Sequence, residues 1–328
     1  MKVLVTGGAG YIGSHAVRAL RDSGHEVTVL DNLSAGHRQA VPAGVTLVEG
    51  DLGDAGVLRR ALAGTEAVLH FAGLLSVGQS VGDPASYYDV NVVKGLALLN
   101  AMREQGVTRI VFSSTCATYG VPVRVPMDEE HPKDPINPYG ASKLTFERAL
   151  LDYSRAGWLR AVALRYFNAA GCQPDGSLGE HHDPEEHIIP LAIDAALGRR
   201  AGLTIYGDDY PTPDGTCIRD YIHVQELARA HVLALSAVDR NEPCQAYNLG
   251  TGTGYSVRQV IDAVGRIAGR AVPAQVGPRR PGDPPELVAN PAKALEKLGF
   301  KTALGLDAIV ESAFAWRRDH PEGYRPKV

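Results

Sequence analysis

The chain has 328 residues, a formal net charge of −4, 45% hydrophobic residues and 21% charged residues. This charge balance gives no support for nucleic-acid binding, and no apolar run approaches the length of a membrane span. We therefore expect neither nucleic acid nor a membrane as a partner. The length permits two domains, or one large domain with a lobe built on it.

Cysteine usage and the N-terminal pattern predict a cytoplasmic protein. Cys116, Cys172, Cys217 and Cys244 have no paired spacing, and we interpret them as reduced thiols. The first residues enter an apolar strand pattern at once, which leaves no room for a signal peptide.

The first residues also predict a dinucleotide-binding turn. A β-branched strand at residues 3–5 stops at Gly7, and Gly10 and Gly13 complete a G-x-x-G-x-x-G spacing before a helical pattern begins at Ser14. Glycines are needed here because the turn is tight and a pyrophosphate must approach backbone N–H groups at a helix N-terminus. A second strand at residues 26–30 ends in Asp31, placed to bond a ribose diol and to repel a 2′-phosphate. The pattern favours NAD over NADP.

Strand-like and helical patterns alternate through the first half of the chain. Further strands are predicted at residues 45–49, 67–71, 109–113 and 161–165, with helices at residues 86–105 and 138–155. Such alternation implies parallel strands joined by right-handed crossovers, with helices on both faces. We predict an α/β fold, a doubly wound parallel Rossmann sheet with a smaller C-terminal α/β substrate lobe.

The residue composition of the sequence changes after Asn168. Residues 171–184 and 207–216 are rich in Gly, Pro, Asp and His, which predicts loops. We place an NAD-binding domain at residues 1–169 and a nucleotide-sugar-binding lobe at residues 170–328, with a segment near 218–238 returning to the first domain. Ligands should bind where strand-end loops meet the lobe.

Tyr139 and Lys143 form the clearest catalytic pattern. Asn137 is a plausible N-cap and Pro138 suits the first helical position, so the two residues four apart should project from one helical face. A neighbouring ammonium and a positive nicotinamide ring would favour the phenolate and lower the tyrosine pKa from about 10. The pattern also occurs by chance, but after a dinucleotide fingerprint we favour catalysis.

A third catalytic group is expected at the end of the strand before this helix. Ser113, Ser114 and Thr115 each offer a hydroxyl that can bond a substrate alcohol and share its proton with Tyr139, and spacing alone does not choose among them. Cys116 beside them is interpreted as a small packing residue, because no basic partner is evident for it.

Motifs along nearly all 328 residues resemble those of one enzyme family. In chain order they are VTGGAGYIGSH, LDNLS, EGDL, HFAG, FSST, NPYGASK, LRYFN, YPTPDGTCIRDYIHV, YNLGTG and PRRPGD. The set is similar to that of the UDP-glucose (UDP-galactose) 4-epimerases, which belong to the extended short-chain dehydrogenases. The motifs of the C-terminal half are far more specific than the glycine fingerprint.

The resemblance implies reversible C4 epimerisation of UDP-glucose and UDP-galactose through a 4-keto sugar, with tightly bound NAD as transient hydride acceptor. Tyr139 would be the base, Lys143 would tune it, and Thr115 would take the hydroxyl position. The family also implies a homodimer, formed by the helices that hold residues 91–103 and 139–154. The residues that the resemblance places at the cofactor are Gly7, Gly10, Tyr11, Ile12, Gly13, Asp31, Asn32, Asp51, Leu52, Phe71, Ala72, Gly73, Leu75, Asn91, Thr115, Tyr139, Lys143 and Phe167.

The resemblance also implies a UDP-sugar site. Its residues are Thr115, Tyr139, Asn168, His187, Ile188, Tyr206, Arg219, Arg280, Asp283 and Leu287. Arg219 and Arg280 would be the phosphate cations, because guanidinium meets phosphate oxygens in a bidentate fork. Arg279 and Arg280 could instead be solvated surface charge, but their position between prolines favours the phosphate interpretation.

Three positions depart from the family pattern. Leu75 stands where many members have a lysine, and His187 replaces an asparagine of the sugar pocket. Leu287 lies where a tyrosine restricts the 2-substituent in strict UDP-glucose enzymes and a smaller residue admits N-acetyl groups. Leucine is intermediate in size, so UDP-N-acetylhexosamines stay open as substrates. UDP-pentoses and UDP-uronates also stay open, because their C4 chemistry is identical.

Other functions are less well supported. A 4,6-dehydratase needs an acid and a base after the strand-end threonine, where this chain has Cys116 and Ala117. A dinucleotide-sensing regulator would have no reason to keep the catalytic residues together with the two arginines.

One interpretation of the histidine-rich segment at residues 181–187 is a metal site. His181, His182, Asp183 and His187 occur together, but adjacent histidines seldom share a tetrahedral ion and no cysteine joins them. The implied chemistry needs no metal. We therefore expect no metal and interpret the segment as a polar substrate loop.

Overall fold

A computed structural model describes residues 1–240, 244–280 and 282–324. Pro281 of the PRRPGD motif lies outside the described residues, as do residues 241–243 and 325–328 of the predicted C-terminal lobe. Within the described ranges, no helix combines the length and apolar composition that crossing a bilayer requires.

The strands and helices alternate as the sequence predicts. The strands are β1 (Lys2–Thr6), β2 (Glu26–Asp31), β3 (Thr46–Glu49), β4 (Ala67–His70), β5 (Arg109–Thr115), β6 (Arg160–Tyr166), β7 (Asn168–Ala170), β8 (Leu203–Tyr206), β9 (Ile218–His223), β10 (Cys244–Leu249), β11 (Gly254–Ser256), β12 (Ala274–Gly277) and β13 (Glu286–Leu287). The α-helices are α1 (Tyr11–Asp22), α2 (Ala55–Ala61), α3 (Val77–Gly82), α4 (Pro84–Tyr88), α5 (Lys94–Glu104), α6 (Pro138–Arg155), α7 (Ile188–Ala196), α8 (Val224–Ala237), α9 (Val257–Ala268), α10 (Ala292–Leu298) and α11 (Leu306–Asp319).

The large sheet is parallel and doubly wound, which confirms the predicted fold class. In the described residues its order is β10-β6-β5-β4-β1-β2-β3, so the chain reverses direction across the sheet at β1 and β4. Helices α1, α8 and α10 pack on one face, and α2, α5 and α6 pack on the other. The carboxyl ends of β1 and β4 therefore form the crevice in which ligands of such sheets bind.

The segment near residues 218–238, which was predicted to return to the first domain, contributes to both parts of the molecule. Strand β9 joins a small sheet with β7, β11 and β13, whereas helix α8 packs against the core of the large sheet. Strand β10 was not predicted, and it pairs with β6 as the edge strand of the large sheet. Helices α7, α9 and α11 form a separate core around Trp316. The domain boundary near residue 170 stays a prediction.

The predicted helix at residues 86–105 is interrupted in the structure. Residues Asp89–Val93 form a π-helical turn between α4 and α5, and this turn carries the buried Asn91. A π turn is a local feature that frequently marks functional sites. The spacing of apolar residues in the sequence does not reveal this turn.

A buried ion pair fixes helix α6 to the sheet. The Arg165 guanidinium on β6 donates to both carboxylate oxygens of Glu147 on α6, with Nε to Oε1 at 2.9 Å and Nη2 to Oε2 at 2.5 Å. The Ser114 hydroxyl of β5 donates to the same carboxylate, and Arg165 Nη1 donates to the Tyr119 hydroxyl at 3.0 Å. Both charged side chains are less than a tenth exposed.

Arg165→Met should lower the free energy of unfolding by about 3–5 kcal/mol, because it leaves the Glu147 carboxylate buried without its cation. The matched control is Arg148→Met, since Arg148 makes an exposed i,i+4 pair with Asp152 on the same helix and should cost less than about 1 kcal/mol. Urea unfolding of the three proteins measures both values. An equal loss of unfolding free energy in the two variants would contradict the role assigned to the buried ion pair.

Candidate active site

The glycine turn between β1 and α1 fits a pyrophosphate. Gly7 has φ of +71°, and a Cβ on Gly13 would lie 2.1 Å from the Gly7 carbonyl oxygen, so neither position accepts a side chain. Gly10 is the N-cap of α1 and supplies no side-chain cap, and no acidic residue lies in the first turn. The helix N-terminus at Tyr11 and Ile12 therefore presents backbone N–H groups and its positive dipole end to an anion.

Asp31 is fixed at the end of β2, beside this turn. Its Oδ2 accepts from the Ala9 N–H at 2.9 Å and its Oδ1 accepts from the Leu33 N–H at 2.8 Å. The side chain is mostly buried, and each carboxylate oxygen keeps a further lone pair for a ribose hydroxyl. This arrangement suits the diol of NAD and disfavours a 2′-phosphate.

The next predicted cofactor residues lie after β3. The Asp51 carboxylate accepts from Lys94 Nζ at 3.0 Å and from the Asn32 side chain at 3.3 Å. Burial alone would raise the pKa of Asp51, but the hydrogen bond from Lys94 gives a net lowering. Asn32 and Asp51 thus lie together at the ends of β2 and β3, and the adjacent Leu52 is buried.

The loop after β4 approaches the glycine turn. A Cβ on Gly7 would lie 2.6 Å from the Ala72 nitrogen, so Phe71, Ala72 and Gly73 pass directly over the turn. The Asn91 side chain accepts from the Leu74 N–H at 2.8 Å and donates to the Leu74 carbonyl at 3.1 Å. Asn91 therefore holds this loop by its backbone, and the neighbouring Leu75 is exposed.

Thr115 and Tyr139 meet where β5 ends and α6 begins. The Asn137 side chain caps α6 by accepting from the Gly140 N–H at 2.9 Å, with Pro138 at the first helical position, as the sequence predicts. Among the three hydroxyls, Thr115 is the one whose interaction with the Tyr139 phenol lowers the pKa of Tyr139. The other two candidates have other partners, since Ser113 bonds the Tyr166 hydroxyl and Ser114 bonds Glu147. Thr115 is thus the hydroxyl that neither Tyr166 nor Glu147 occupies, and its catalytic role stays a prediction.

Within the protein alone, burial determines the pKa of Tyr139, and the lowering predicted for the site with a nicotinamide ring stays a prediction. Burial raises this pKa to about 12, and the hydrogen bond to Thr115 only partly opposes the increase. The prediction counted the charges of Lys143 and of the nicotinamide, whereas Lys143 Nζ donates to the Ser113 carbonyl at 3.0 Å. Burial therefore favours the protonated Tyr139 phenol.

Lys143 and Cys116 are also perturbed by burial. Burial lowers the pKa of Lys143 to about 8, although the nearby Glu147 raises it. Burial raises the pKa of the Cys116 thiol to about 12, despite an opposing effect of Arg219. A protonated thiol is a poor nucleophile, which agrees with a packing role for Cys116.

The small sheet gathers several of the predicted UDP-site residues. Arg219 on β9 stands beside Leu287 of β13 in register, and its Nη2 lies 3.2 Å from Oδ1 of Asp283. The Asn168 side chain donates to the Asp220 carbonyl at 3.2 Å. Leu287 packs with Cys116 against the apolar cluster that contains Phe167, which brings the small sheet next to Thr115.

The two adjacent arginines have different surroundings. The Arg280 guanidinium stacks over the exposed Tyr206 ring at 4.1 Å, and no described residue forms an ion pair with it. Arg279 instead pairs with Asp209, with Nε to Oδ1 at 2.7 Å, and stacks on Tyr210. Arg280 is thus the one of the two whose charge is available to a phosphate.

The histidine-rich segment follows β7. His187 is the N-cap residue of α7, which begins at Ile188, and its Nδ1 lies 2.5 Å from Oε1 of Glu180. His181 points to another set of partners, since its ring stacks on His37 at 4.6 Å. Glu186 accepts from the Ser76 hydroxyl at 2.8 Å, so this loop contacts the loop that carries Leu75.

Sequence analysis missed Glu147 as part of the site. This carboxylate raises the pKa of Lys143 and anchors α6, yet mid-helix acids are common on solvated faces. Its spacing four residues after Lys143 was the available signal, since that spacing places both on one face.

Comparisons with known proteins agree with this geometry. Residues 3–250 match the model of the NAD dependent epimerase/dehydratase family. The chain is similar to a UDP-glucose 4-epimerase of Rhizobium meliloti (strain 1021), with 51% identity over 323 residues and 98% of each chain covered.

Two solved structures are similar in fold and sequence. The UDP-glucose 4-epimerase from Brucella ovis in complex with NAD has 52% identity and a TM-score of 0.93, covering 96% of this chain and 97% of that chain. The enzyme from Bifidobacterium longum in complex with NAD⁺ and UDP has 39% identity and a TM-score of 0.94, covering 99% and 100%. On these matches and the site described above, the chain belongs to the NAD-dependent epimerase/dehydratase family.

Proposed function

We propose that this protein interconverts UDP-glucose and UDP-galactose at C4, using NAD that remains bound through the reaction. The observation that carries the proposal is the placement of Thr115, at the end of β5, next to Tyr139 in the first turn of α6, one helical turn from Lys143 and at the same strand ends as the glycine turn. The relatives of similar sequence, which cover almost the whole chain, are named for this activity.

Proton transfer at the sugar 4-hydroxyl is the task of Tyr139. As a phenolate, Tyr139 takes the hydroxyl proton while the C4 hydrogen leaves as hydride, and it returns the proton to the 4-keto oxygen after the sugar has turned its other face. Bound NAD supplies the acceptor and donor of that hydride. Thr115 orients the reacting hydroxyl, and the Lys143 ammonium favours the phenolate.

We assign the remaining predicted residues to the two ends of the ligand site. The glycine turn, Asp31, Asp51 and the loop held by Asn91 bind the cofactor. Arg219 and Arg280 bind the UDP diphosphate, with Tyr206 beside the uracil and Asp283 at the ribose. Support comes from the ordered carboxylate of Asp31 and from the unpaired charge of Arg280. His187 and Ile188 lie at the sugar end, beside the loop of Leu75.

The protein is proposed to be a cytoplasmic homodimer. Val93, within the 91–103 segment that the family pattern places at the dimer interface, is an apolar residue with 59% of its surface exposed. All four cysteines are free thiols, as expected in a reducing compartment. Light scattering on the purified protein tests the dimer.

The proposed reaction is tested directly by NMR on the purified protein, supplied with UDP-galactose and no added NAD. We expect UDP-glucose to appear. A parallel incubation with UDP-N-acetylgalactosamine reports whether Leu287 leaves room for an N-acetyl group. If neither substrate reacts, even after NAD is supplied, the proposal is contradicted and UDP-pentoses or UDP-uronates become the substrates to test.

Tyr139→Phe should reduce turnover by at least about 10²–10⁴-fold, because it removes the proton-transfer group. NAD should stay bound, since the glycine turn and Asp31 are unchanged, and its content is read after denaturing release. Tyr153→Phe on the same helix is the control, because Tyr153 packs against Trp158 away from the site. Normal turnover in Tyr139→Phe would exclude it as the base.

Lys143→Met should shift the rise of kcat with pH to higher pH, since losing a positive charge disfavours the Tyr139 phenolate and raises its pKa. Because the pKa of Lys143 is about 8, the wild-type lysine is charged below that pH and loses its charge above it. The ratio of wild-type kcat to variant kcat should therefore be largest below pH 8 and should decrease above it.

The control for this pH profile is Lys133→Met. Lys133 donates to the Glu129 and His131 carbonyls of its own loop, so its loss should leave the profile unchanged. A Lys143→Met profile that is parallel to the wild-type profile at every pH would contradict a tuning role.

Arg280→Ala should raise KM for the nucleotide sugar by about tenfold or more with little change in kcat, because a charge-assisted contact present in the ground state contributes about 1.5–3 kcal/mol. Arg279→Ala is the matched control, since its guanidinium already pairs with Asp209. Steady-state kinetics on both variants measure the difference. If Arg279→Ala raised KM more than Arg280→Ala does, the phosphate contact would have to be reassigned from Arg280.

A further inference from the structure

Four side chains converge in the loop between β7 and α7, and we call them the 180–187 cluster: Glu180, His182, Glu185 and His187. One ligand atom from each lies within 4.8 Å of all the others. His182 Nδ1 is 3.5 Å from Oε1 of Glu180 and 3.5 Å from Oε1 of Glu185. His187 Nδ1 is 2.5 Å from Glu180 Oε1 and 3.7 Å from Glu185 Oε1. The four atoms therefore surround one point.

Hydrogen bonds within the protein satisfy this cluster only in part, since Glu185 Oε1 accepts from the Glu186 and His187 N–H groups, both at 3.0 Å. His182 Nδ1 and Glu185 Oε2 are buried without a hydrogen-bond partner among the described residues. The Glu185 side chain is 7% exposed and that of Glu180 is 4% exposed, so both carboxylates are largely removed from water. A proton shared by His187 and Glu180 would satisfy that pair and would leave the other two atoms unpaired. Unpaired buried polar atoms are costly and call for a partner.

The charge of the cluster identifies the class of that partner. Two buried carboxylates in one small site repel each other, and a cation between them removes this cost. The nearest buried guanidinium, that of Arg317, pairs with Asp194 at 2.9 Å between Nε and Oδ1. A divalent cation bound by both carboxylates and both imidazoles would also use the unpaired His182 nitrogen.

The geometry points to a divalent transition-metal ion of the zinc class, bound by the 180–187 cluster with Glu180, His182, Glu185 and His187 as ligands. Ligands about 2.0–2.2 Å from a tetrahedral ion lie about 3.3–3.6 Å from one another. The distances from His182 Nδ1 to the two carboxylates, and from His187 Nδ1 to Glu185 Oε1, lie near this value, whereas the Glu180–His187 contact would open by about 1 Å. Imidazole and carboxylate ligands together favour Zn²⁺ over Mg²⁺ or Ca²⁺.

Four protein ligands make the site structural. A closed tetrahedral shell leaves no open position for a reacting water, so the ion would have no part in the chemistry at Tyr139. Its effect would be to fix the loop between two parts of the ligand site. The His182 ring packs against Tyr11 at 6.1 Å, at the start of the pyrophosphate helix, and His187 begins α7. The half-exposed His187 leaves a path for entry.

The proposal is tested on untagged full-length protein that has been treated with a chelator and dialysed. Titration with Zn²⁺ in a calorimeter should show one ion bound per chain and should raise Tm. Co²⁺ in place of Zn²⁺ should give the visible absorption of a tetrahedral site. Failure of Zn²⁺ to bind, or binding of Co²⁺ with an octahedral spectrum only, would overturn the proposal.

Variants locate the ion. Glu185→Gln and His182→Ala should each weaken Zn²⁺ binding by at least about 100-fold, because loss even of outer-shell partners costs about 10–100-fold. The matched controls are Glu186→Gln and His181→Ala, since these neighbours contact Ser76 and His37 outside the cluster. Glu185→Gln is nearly isosteric, and circular dichroism checks its fold. Unchanged Zn²⁺ binding in folded Glu185→Gln and His182→Ala would place the ion elsewhere and refute the proposal.

Discussion

The buried ion pair between Glu147 and Arg165 is the interaction on which the candidate site depends. It ties the middle of α6 to the central strands, and its hydrogen bonds extend to Ser114 on β5 and to Tyr119. Tyr119 in turn donates to Asn248 on β10 at 2.6 Å, so four elements share one network. Because α6 carries Tyr139 and Lys143 in its first two turns, this network fixes the distance between those side chains and the end of β5.

Burial of the site also shifts the pKa values of its titratable side chains. Enclosure raises the pKa of Tyr139 to about 12 and lowers that of Lys143 to about 8, so burial disfavours both the phenolate and the ammonium. A base built in this way is inactive until positive charge is brought next to it. In the proposed reaction, oxidised NAD would supply such a charge next to Tyr139 and would favour removal of the substrate proton.

Much of the fold follows from local sequence signals, whereas contacts between distant segments do not. Strands β1 to β6 of the large sheet and the capped start of α6 were predicted because apolar period, glycine spacing and the Asn137–Pro138 pair are local. Strand β10 was missed because its place beside β6 depends on pairing between residues 83 positions apart in the chain. Thr115 could not be separated from Ser113 and Ser114 by spacing, since the choice rests on which neighbours occupy the other two hydroxyls.

The account's central claim is that hydride leaves C4 of the sugar and returns to it from a cofactor held in the same site. The most direct measurement is the conversion of UDP-galactose deuterated at C4, in ordinary water and without added NAD, followed by NMR of the product. The account predicts UDP-glucose that retains deuterium at C4. Loss of the label to solvent would contradict it, because the C4 hydrogen would then have left as an exchangeable proton.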